Sequence, residues 1–473
     1  MDLSRNFIPE NVEKIHIIAV CGTAMGALAC MLKERGYSVT GSDQKVYPPM
    51  SDFLKKKGID LIEGFDSKNL DYRPDLVIVG NSVRKENPEA VAMIEAGVCF
   101  CSMPQAINKL FAGDKITLVA SGTHGKTTTS ALMAWVLHEA GFDPSFMIGG
   151  ILNNFNSNYR VGEGNYIILE GDEYDTAFFD KGAKFYHFDA DITVLTSVEF
   201  DHADIFDDLN HVKDVFTRFV SGHKPESTLL SFDSDENIDP VIAMHPGDTL
   251  RYGFEDGSYW RIGNVRTEHK KNTFEVFKSG AFFCSFQTGQ PGRHNLLNIL
   301  SVIGVSDSLG VPMEIIQKAV SSFKGVKRRQ EVRGVKNGIT VMDDFAHHPT
   351  AVMETTKALK SFYNEGRLIA VFEPRTNSSR RNVFQDVYPG SFDDADVILI
   401  REAPMLDSIP ENERFSSIKL VSDLKKRNKE AIYFESTEAI ISWIKDEAIP
   451  GDLILIMSNG GFENIHERIL EKI

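Results

Sequence analysis

The stretch Val119-Ala120-Ser121-Gly122-Thr123-His124-Gly125-Lys126-Thr127-Thr128-Thr129 constrains this chain more than any other. Before it, Lys115-Ile116-Thr117-Leu118-Val119 reads as a buried strand. After it, Leu132, Trp135, Val136 and Ala140 recur at helical spacing, and Gly141 stands where the helix should end. Strand, glycine loop and helix together are the setting of a phosphate-binding loop. Gly122 and Gly125 let backbone N–H groups turn inward as an anion nest at a helix N-terminus. Lys126 is placed to reach the β- and γ-phosphates, and the Thr127 hydroxyl to ligate Mg²⁺. Ala120 stands where the first glycine of the common spacing would be. The sequence therefore predicts a chain that binds a nucleoside triphosphate.

With 473 residues, two to four domains are expected, each with its own core. A net charge of −16 disfavours nucleic-acid and membrane-surface roles, while leaving room for local basic pockets around an anionic substrate. The five cysteines are an odd number without metal-ligand spacing, as expected of reduced thiols in a cytoplasmic protein. Met1 to Pro9 has no apolar signal core, and no apolar run approaches ~20 residues, so no membrane insertion is expected.

Residues 1–113 read as a first α/β domain. The strand Ile15 to Val20 leads into Cys21-Gly22-Thr23-Ala24-Met25-Gly26, then a helix, then a strand ending at Gly41-Ser42-Asp43. Asp43 lies 21 positions after Gly22 and invites a dinucleotide reading, but the flanking glycines of that fingerprint would fall at Val20 and Met25. The fingerprint fails, which disfavours a nicotinamide cofactor and leaves a looser nest for another diphosphate. A further buried strand, Asp75 to Val79, ends in Gly80-Asn81-Ser82.

Residues 114–325 read as the central domain. Gly149 to Phe155 is a run of turn residues, expected to be a loop. The strand Tyr166 to Leu169 runs into Glu170-Gly171-Asp172-Glu173-Tyr174-Asp175, four carboxylates in six residues. Ile192 to Ser197 runs into Glu199-Phe200-Asp201-His202-Ala203-Asp204. In a parallel sheet both acidic loops emerge at the edge that carries the phosphate loop. Carboxylates beside a triphosphate call for a cation, and Mg²⁺ held by Thr127 and Glu173 is the economical choice, with His202 a less usual ligand. From Ser227 to Gln287 short alternating segments suggest appended antiparallel strands. Gly292-Arg293-His294-Asn295 opens an apolar helix, where Asn295 and Asn298 share a face and either read an adenine edge or cap the helix.

A basic linker (Lys324, Lys327, Arg328, Arg329) leads to a third domain, 326–473. There the strand Ile339 to Met342 ends in Asp343-Asp344-Phe345-Ala346-His347-His348-Pro349. Leu368 to Phe372 runs into Glu373-Pro374-Arg375-Thr376-Asn377-Ser378-Ser379-Arg380-Arg381. Asp396 to Ile400 and Asp452 to Met457 add further strands, the last meeting Ser458-Asn459-Gly460-Gly461-Phe462.

In this order the motifs resemble the Mur ligase family over essentially the whole chain. The resemblance implies three domains: a Rossmann-like UDP-binding domain, a central P-loop ATPase-like α/β domain with appended antiparallel strands, and a C-terminal Rossmann-like α/β domain. It implies an amide ligase that uses ATP as co-substrate with one or two Mg²⁺. Gly22, Thr23, Ala24, Met25, Gly26, Ser42, Asp43, Asn81 and Ser82 would then hold the UDP-sugar. Gly122, Thr123, His124, Gly125, Lys126, Thr127, Thr128, His294, Asn295, Asn298, Arg329 and Asp344 would hold ATP, and Thr127, Glu173 and His202 the metal. Lys126, His202, His348, Arg375 and Arg380 would serve catalysis.

Two branches of the family accept UDP-N-acetylmuramate, one adding L-alanine and one adding the murein tripeptide L-Ala-γ-D-Glu-meso-diaminopimelate. Asp172 to Asp175 with Phe178-Phe179-Asp180, Glu373 to Asn377, and Met457 to Phe462 are similar to the tripeptide branch. L-alanine addition stays as the alternative. A monomer or weak homodimer is expected. In several members a carbamylated lysine follows the Asp-His motif by about one helix; here Lys213 comes about one turn early and Phe216 lies near that place. A non-catalytic nucleotide-binding regulator would keep the phosphate loop without needing the Asp-His, Asp-Asp and His-His clusters.

Overall fold

A computed structural model describes residues 3–47 and 50–473; Met1 and Asp2, part of the N-terminal stretch considered above, and Pro48 and Pro49 lie outside the described residues. Three α/β units follow one another. In the first, five parallel strands lie in the order Asp60–Glu63, Ser38–Asp43, Lys14–Ile18, Leu76–Val79, Cys99–Ser102. The chain order reverses between Lys14–Ile18 and Leu76–Val79. The loops leaving those two strands therefore open a crevice at a topological switch point, where α/β sheets bind ligands. Those loops carry Gly22 to Gly26 and Gly80 to Ser82.

The central unit is built on a ten-stranded sheet. Its phosphate-loop strand, Ile116–Ser121, pairs in parallel with Tyr166–Glu170 on one side and Ile192–Leu195 on the other. These are the strands that feed the two acidic loops, as the sequence predicts. Two expectations are corrected. Gly149 to Leu152 belong to the strand Ser145–Leu152, which pairs with Tyr166–Glu170 and with Ser157–Arg160. The pairing is irregular between Met147 and Leu152, where the Glu170 carboxylate accepts the Gly149 N–H at 2.8 Å and the Ile151 carbonyl accepts the Lys327 N–H at 2.9 Å, contacts with neighbouring segments that override the turn propensity of the glycines. Between Ser227 and Gln287, Thr228–Phe232, Asp248–Gly253 and the start of Trp260–Glu268 continue the parallel sheet, and antiparallel pairing begins only where Trp260–Glu268 meets Lys271–Lys278, which in turn pairs with Ala281–Thr288. Lys271–Lys278 alternates buried and exposed residues, whereas Thr228–Phe232 is buried along its middle, as suits an inner strand of a parallel sheet.

The C-terminal sheet has six strands, five of them parallel, with Glu331–Lys336 as its antiparallel edge. Among the described residues no helix is long and apolar enough to cross a membrane. The first two units share a core. Leu28, Met31 and Leu32 of helix Thr23–Glu34 belong to the same buried cluster as Met147, Tyr159 and Ile167 of the central sheet. The Phe179 ring meets Phe100 of the first unit edge-on at 5.0 Å. Helix Lys126–Glu139 is apolar on nearly every side because the sheet and helices Arg293–Ser308 and Met313–Ser322 all pack on it.

One buried histidine lies away from the acidic edge. His223 is 8% exposed, neither ring nitrogen has a hydrogen-bond partner among the described residues, and its ring packs on Phe219 and His245. Burial, reinforced by His245, lowers its pKa to about 4. The unfolded chain therefore takes up a proton at higher pH than the folded one, and stability present above about pH 6.5 is lost as pH falls toward 4. The difference amounts to roughly 3 kcal/mol at full protonation. A His223→Leu variant is expected to show a shallower fall in thermal midpoint between pH 6.5 and 4; equal slopes would contradict it.

Candidate active site

Three parallel strands deliver the site to one edge. Ser121 passes into the glycine loop, Glu170 into the first acidic loop, and Leu195 into the second. Gly122 (φ 125°) and Gly125 (φ 82°) take backbone conformations that L side chains rarely adopt. Helix Lys126–Glu139 starts directly on Gly125, so its first N–H groups face the loop.

The Lys126 ammonium donates to Glu173 at 2.9 Å and to the Gly122 carbonyl at 2.6 Å. Burial alone would lower its pKa, but Glu173, Asp172 and Glu170 outweigh burial and raise it. The converse holds for Glu173, where burial is outweighed by Lys126 and His202 and the carboxyl stays below its ordinary value. Both groups are thus charged. His202 Nε2 lies 3.3 Å from Glu173, and His202 itself has φ 56°, a turn that aims its ring at the carboxylate. The Thr127 hydroxyl donates to Glu170 at 2.8 Å, and Asp172 pairs with Lys184. Thr127, Glu170 and Glu173 offer oxygen donors from neighbouring strand ends, which suits a hard divalent cation. Glu170 is a member of this set that sequence reasoning quoted without assigning. Its position as the last residue of the strand beside the phosphate-loop strand was the available signal. The place expected for a carbamylated lysine is filled by Phe216, fully buried with its ring 5.4 Å from Phe185.

The C-terminal unit closes against the second acidic loop. Thr350 donates its hydroxyl to Glu199 at 2.7 Å, Ser378 donates to Asp201 at 3.0 Å, and Asn377 donates to Asp204 at 2.9 Å. His347 stands 3.6 Å from Asp201. Burial would raise the Asp201 carboxyl, but His347 and His202 hold it well below the carboxylate range. Glu199 is similar: the His124 ring, its Nε2 3.5 Å away, with the Thr350 hydroxyl and the nearby His348, overcomes burial and holds it at about 2. None of Glu199, Asp201, Asp204, Thr350, Asn377 or Ser378 was singled out from sequence as a site residue.

His348 is buried at the head of helix Pro349–Phe362. Its Nδ1 accepts the Thr350 N–H as a helix cap, and Nε2 faces the Phe200 carbonyl at 3.1 Å. That pattern assigns the proton to Nε2 in a neutral ring. Burial, with His124 beside it, lowers its pKa to about 4, in keeping with the neutral form. Both nitrogens are engaged, so the structure places His348 in the domain interface rather than on the cavity wall. A cavity of about 870 Å³ runs from Ala24, Met25 and Asn81 of the first unit, past Thr123 to Thr128 and His202, to His294, Asn295, Asn298, Arg329 and Asp344.

Other predicted residues fall into place around it. Asn295 donates to the Pro291 carbonyl and to Gln330, so it does not cap its helix, and Asn298 packs against Gly125. The Asp344 oxygens accept the Gln330 and Ala346 N–H groups, and Arg329 lies over the Phe345 ring at 4.7 Å. His294 stands 3.9 Å from Glu354. Arg375 pairs with Glu373 at 3.5 Å and lies against Gly460; Arg380 donates to Asn377 and to the Met405 carbonyl. Gly22 and Gly26 sit at the head of helix Thr23–Glu34, beginning at Thr23, and Ser82 is exposed. Asp43 accepts the Cys21 N–H at 2.9 Å. Ser42 is fully buried and gives its hydroxyl to Glu89, so it lies beneath the crevice and not in it: alternate residues of a strand face opposite sides, and its side faces the covering helix.

Residues 120–306 match the Mur ligase middle domain, residues 14–115 the catalytic domain of the Mur ligase family, and residues 328–460 the Mur ligase glutamate ligase domain. The chain is 37% identical over 464 residues to the UDP-N-acetylmuramate–L-alanyl-γ-D-glutamyl-meso-2,6-diaminoheptandioate ligase of Haemophilus influenzae, covering 98% of this chain and 99% of that protein. It is 33% identical to the UDP-N-acetylmuramate–L-alanine ligase of Clostridium tetani over 95% of this chain and 96% of the other. The crystal structure of a murein peptide ligase from Psychrobacter arcticus is similar with a TM-score of 0.70 at 31% identity, over 98% of both chains.

Proposed function

As this chain belongs to the Mur ligase family, we propose that it joins the murein tripeptide L-Ala-γ-D-Glu-meso-diaminopimelate to the lactyl carboxylate of UDP-N-acetylmuramate at the expense of ATP. The observation that carries the reading is the single cavity linking the switch-point loops of the first unit, the phosphate loop and the wall of the third unit. A nucleotide-sugar, a triphosphate and an amine meet there. The choice of tripeptide rests on Glu373 to Asn377 and Met457 to Phe462, which face each other across neighbouring strand ends, and on the more similar relatives.

The ATP γ-phosphoryl group passes to the lactyl carboxylate, giving an acyl phosphate and ADP; the α-amine of the L-alanine end then attacks the acyl carbon and phosphate leaves. Lys126 stabilises charge on the transferring group once the nucleotide draws it from Glu173. Thr127, Glu170, Glu173 and His202 fit a Mg²⁺ ion, which would neutralise two anions that otherwise repel. Arg375, its side chain one-third exposed, is suited to a tripeptide carboxylate by its guanidinium fork. Arg380 braces the loop that carries it. His348, Thr350 and Ser378 hold the third unit against the second acidic loop, so the chemistry is completed by closure.

The second reading is L-alanine addition, favoured by the Clostridium tetani relative. Phosphate release with UDP-N-acetylmuramate, ATP and Mg²⁺ separates the two. Turnover is expected with the tripeptide and little with free L-alanine. The reverse would move the chain to the alanine-adding branch, and silence with both would sink the ligase reading.

A further inference from the structure

Glu89 is fully buried and belongs to no step above. It sits in the first turn of helix Pro88–Glu95, where the helix dipole favours a negative charge. Its carboxylate accepts the Ser42 hydroxyl at 2.5 Å, the Asp66 N–H at 3.4 Å and the Asn69 side-chain amide, and faces His16 Nε2 at 3.3 Å. His16 in turn meets the Thr40 hydroxyl through Nδ1 at 2.7 Å. A buried carboxylate is tolerable only when its donors are held in place, so these bonds fix the end of strand Ser38–Asp43 against helix Pro88–Glu95.

Both partners lead into the crevice. The Ser42 carbonyl accepts the Ala19 and Val20 N–H groups at 2.9 and 3.0 Å, and Asp43 accepts the Cys21 N–H. Strand Ser38–Asp43 therefore dictates the path of the loop that enters Gly22, including the left-handed turn at Ala19 (φ 66°). Helix Pro88–Glu95 follows the other wall, the loop holding Asn81. One carboxylate thus sets the spacing of the two loops that flank the switch point.

We infer that Glu89, acting through Ser42, is a positioning residue for the nucleotide-sugar subsite. The inference rests on the proposed function, in which UDP-N-acetylmuramate occupies this crevice. The test is titration calorimetry with UDP-N-acetylmuramate on wild type, Glu89→Gln and Ser42→Ala, with the KM for ATP and the thermal midpoint measured alongside. Each variant is expected to raise the Kd for the nucleotide-sugar roughly tenfold, with the KM for ATP within about twofold. A lower midpoint with an unchanged Kd would show a structural role and overturn the inference alone. If Glu89→Gln does not fold, Ser42→Ala, a smaller change on the same path, decides the matter by the same Kd. Wild type that fails to bind the nucleotide-sugar would overturn the functional reading and the inference with it.

Discussion

Replacing Lys126 by alanine is expected to lower kcat by about 10³-fold while leaving UDP-N-acetylmuramate bound as before. The argument begins with charge. Lys126 is the cation set among Glu170, Asp172 and Glu173 at the mouth of the loop, and all three act to keep it protonated. A phosphoryl group in transit spreads negative charge over its oxygens, and a preorganised ammonium at that point stabilises the transition state far more than the bound nucleotide. Removing it also leaves Glu173, 3% exposed, with His202 as its remaining cationic partner. Some loss of thermal stability should accompany the loss of rate, so the binding of UDP-N-acetylmuramate, whose proposed site is the crevice of the first unit, serves as the control for folding. A Lys126→Arg variant should not rescue, because the wider guanidinium fork does not fit among the Gly122 and Thr123 carbonyls and the Glu173 carboxylate, which are spaced for a point charge. A loss smaller than about tenfold would mean that Lys126 is a structural partner of Glu173 and that the triphosphate lies elsewhere.

The contrast between Lys126 and Asp201 shows what a single sequence can disclose. Lys126 sits in a contiguous strand, loop and helix, and each part has its own local signature: an apolar run, glycines in forbidden backbone regions, and 3.6-residue periodicity. The same holds for the carboxyl-edge placement of Glu173 and His202, since parallel strands oblige their outgoing loops to share an edge. Asp201 is different. Its hydroxyl donor, Ser378, is 177 residues away, and Thr350 is 151 residues from Glu199. Nothing local in either segment marks such a pairing, because it arises where the central and C-terminal units pack together. Ser42 failed for another reason. The resemblance of Gly41-Ser42-Asp43 implies a contact with the UDP-sugar, but strand alternation turns the Ser42 side chain toward Glu89. The resemblance implies a catalytic role for His348, whereas the residue before a proline-started helix is well placed to cap it. Gly149 to Leu152 depart from the expected loop because glycine signals freedom of the backbone, not the distant groups, Glu170 and Lys327, that hold it extended.

Gly122→Ala is expected to cost about 10²-fold in kcat/KM for ATP, the scale set by an ångström-sized misplacement of a catalytic loop. At φ 125° an alanine is strained wherever its methyl goes. The methyl would also stand 2.2 Å from the Thr196 hydroxyl, 2.8 Å from the Ser197 nitrogen and 2.9 Å from the Ser197 oxygen. Two of these three atoms are backbone and cannot swing aside. The third belongs to the side chain that tethers the loop, since Thr196 donates to the Ser121 carbonyl at 3.0 Å and to the His124 carbonyl. Thr123 and His124 donate their N–H groups to Ser197 as well, each at 3.0 Å. Relieving the clash therefore breaks the bonds that aim the loop, and the N–H groups meant for phosphate turn away. The second acidic loop begins at the same residues, so Asp201 and His202 should shift with it. Gly257→Ala is the matched control: no atom lies within 4 Å of its added methyl and its φ lies outside the left-handed region, so activity and thermal midpoint should be unchanged. If Gly122→Ala were as silent as Gly257→Ala, the tight backbone packing of the phosphate loop on Thr196 and Ser197 would have no part in binding ATP, and the loop would have to work by its lysine alone.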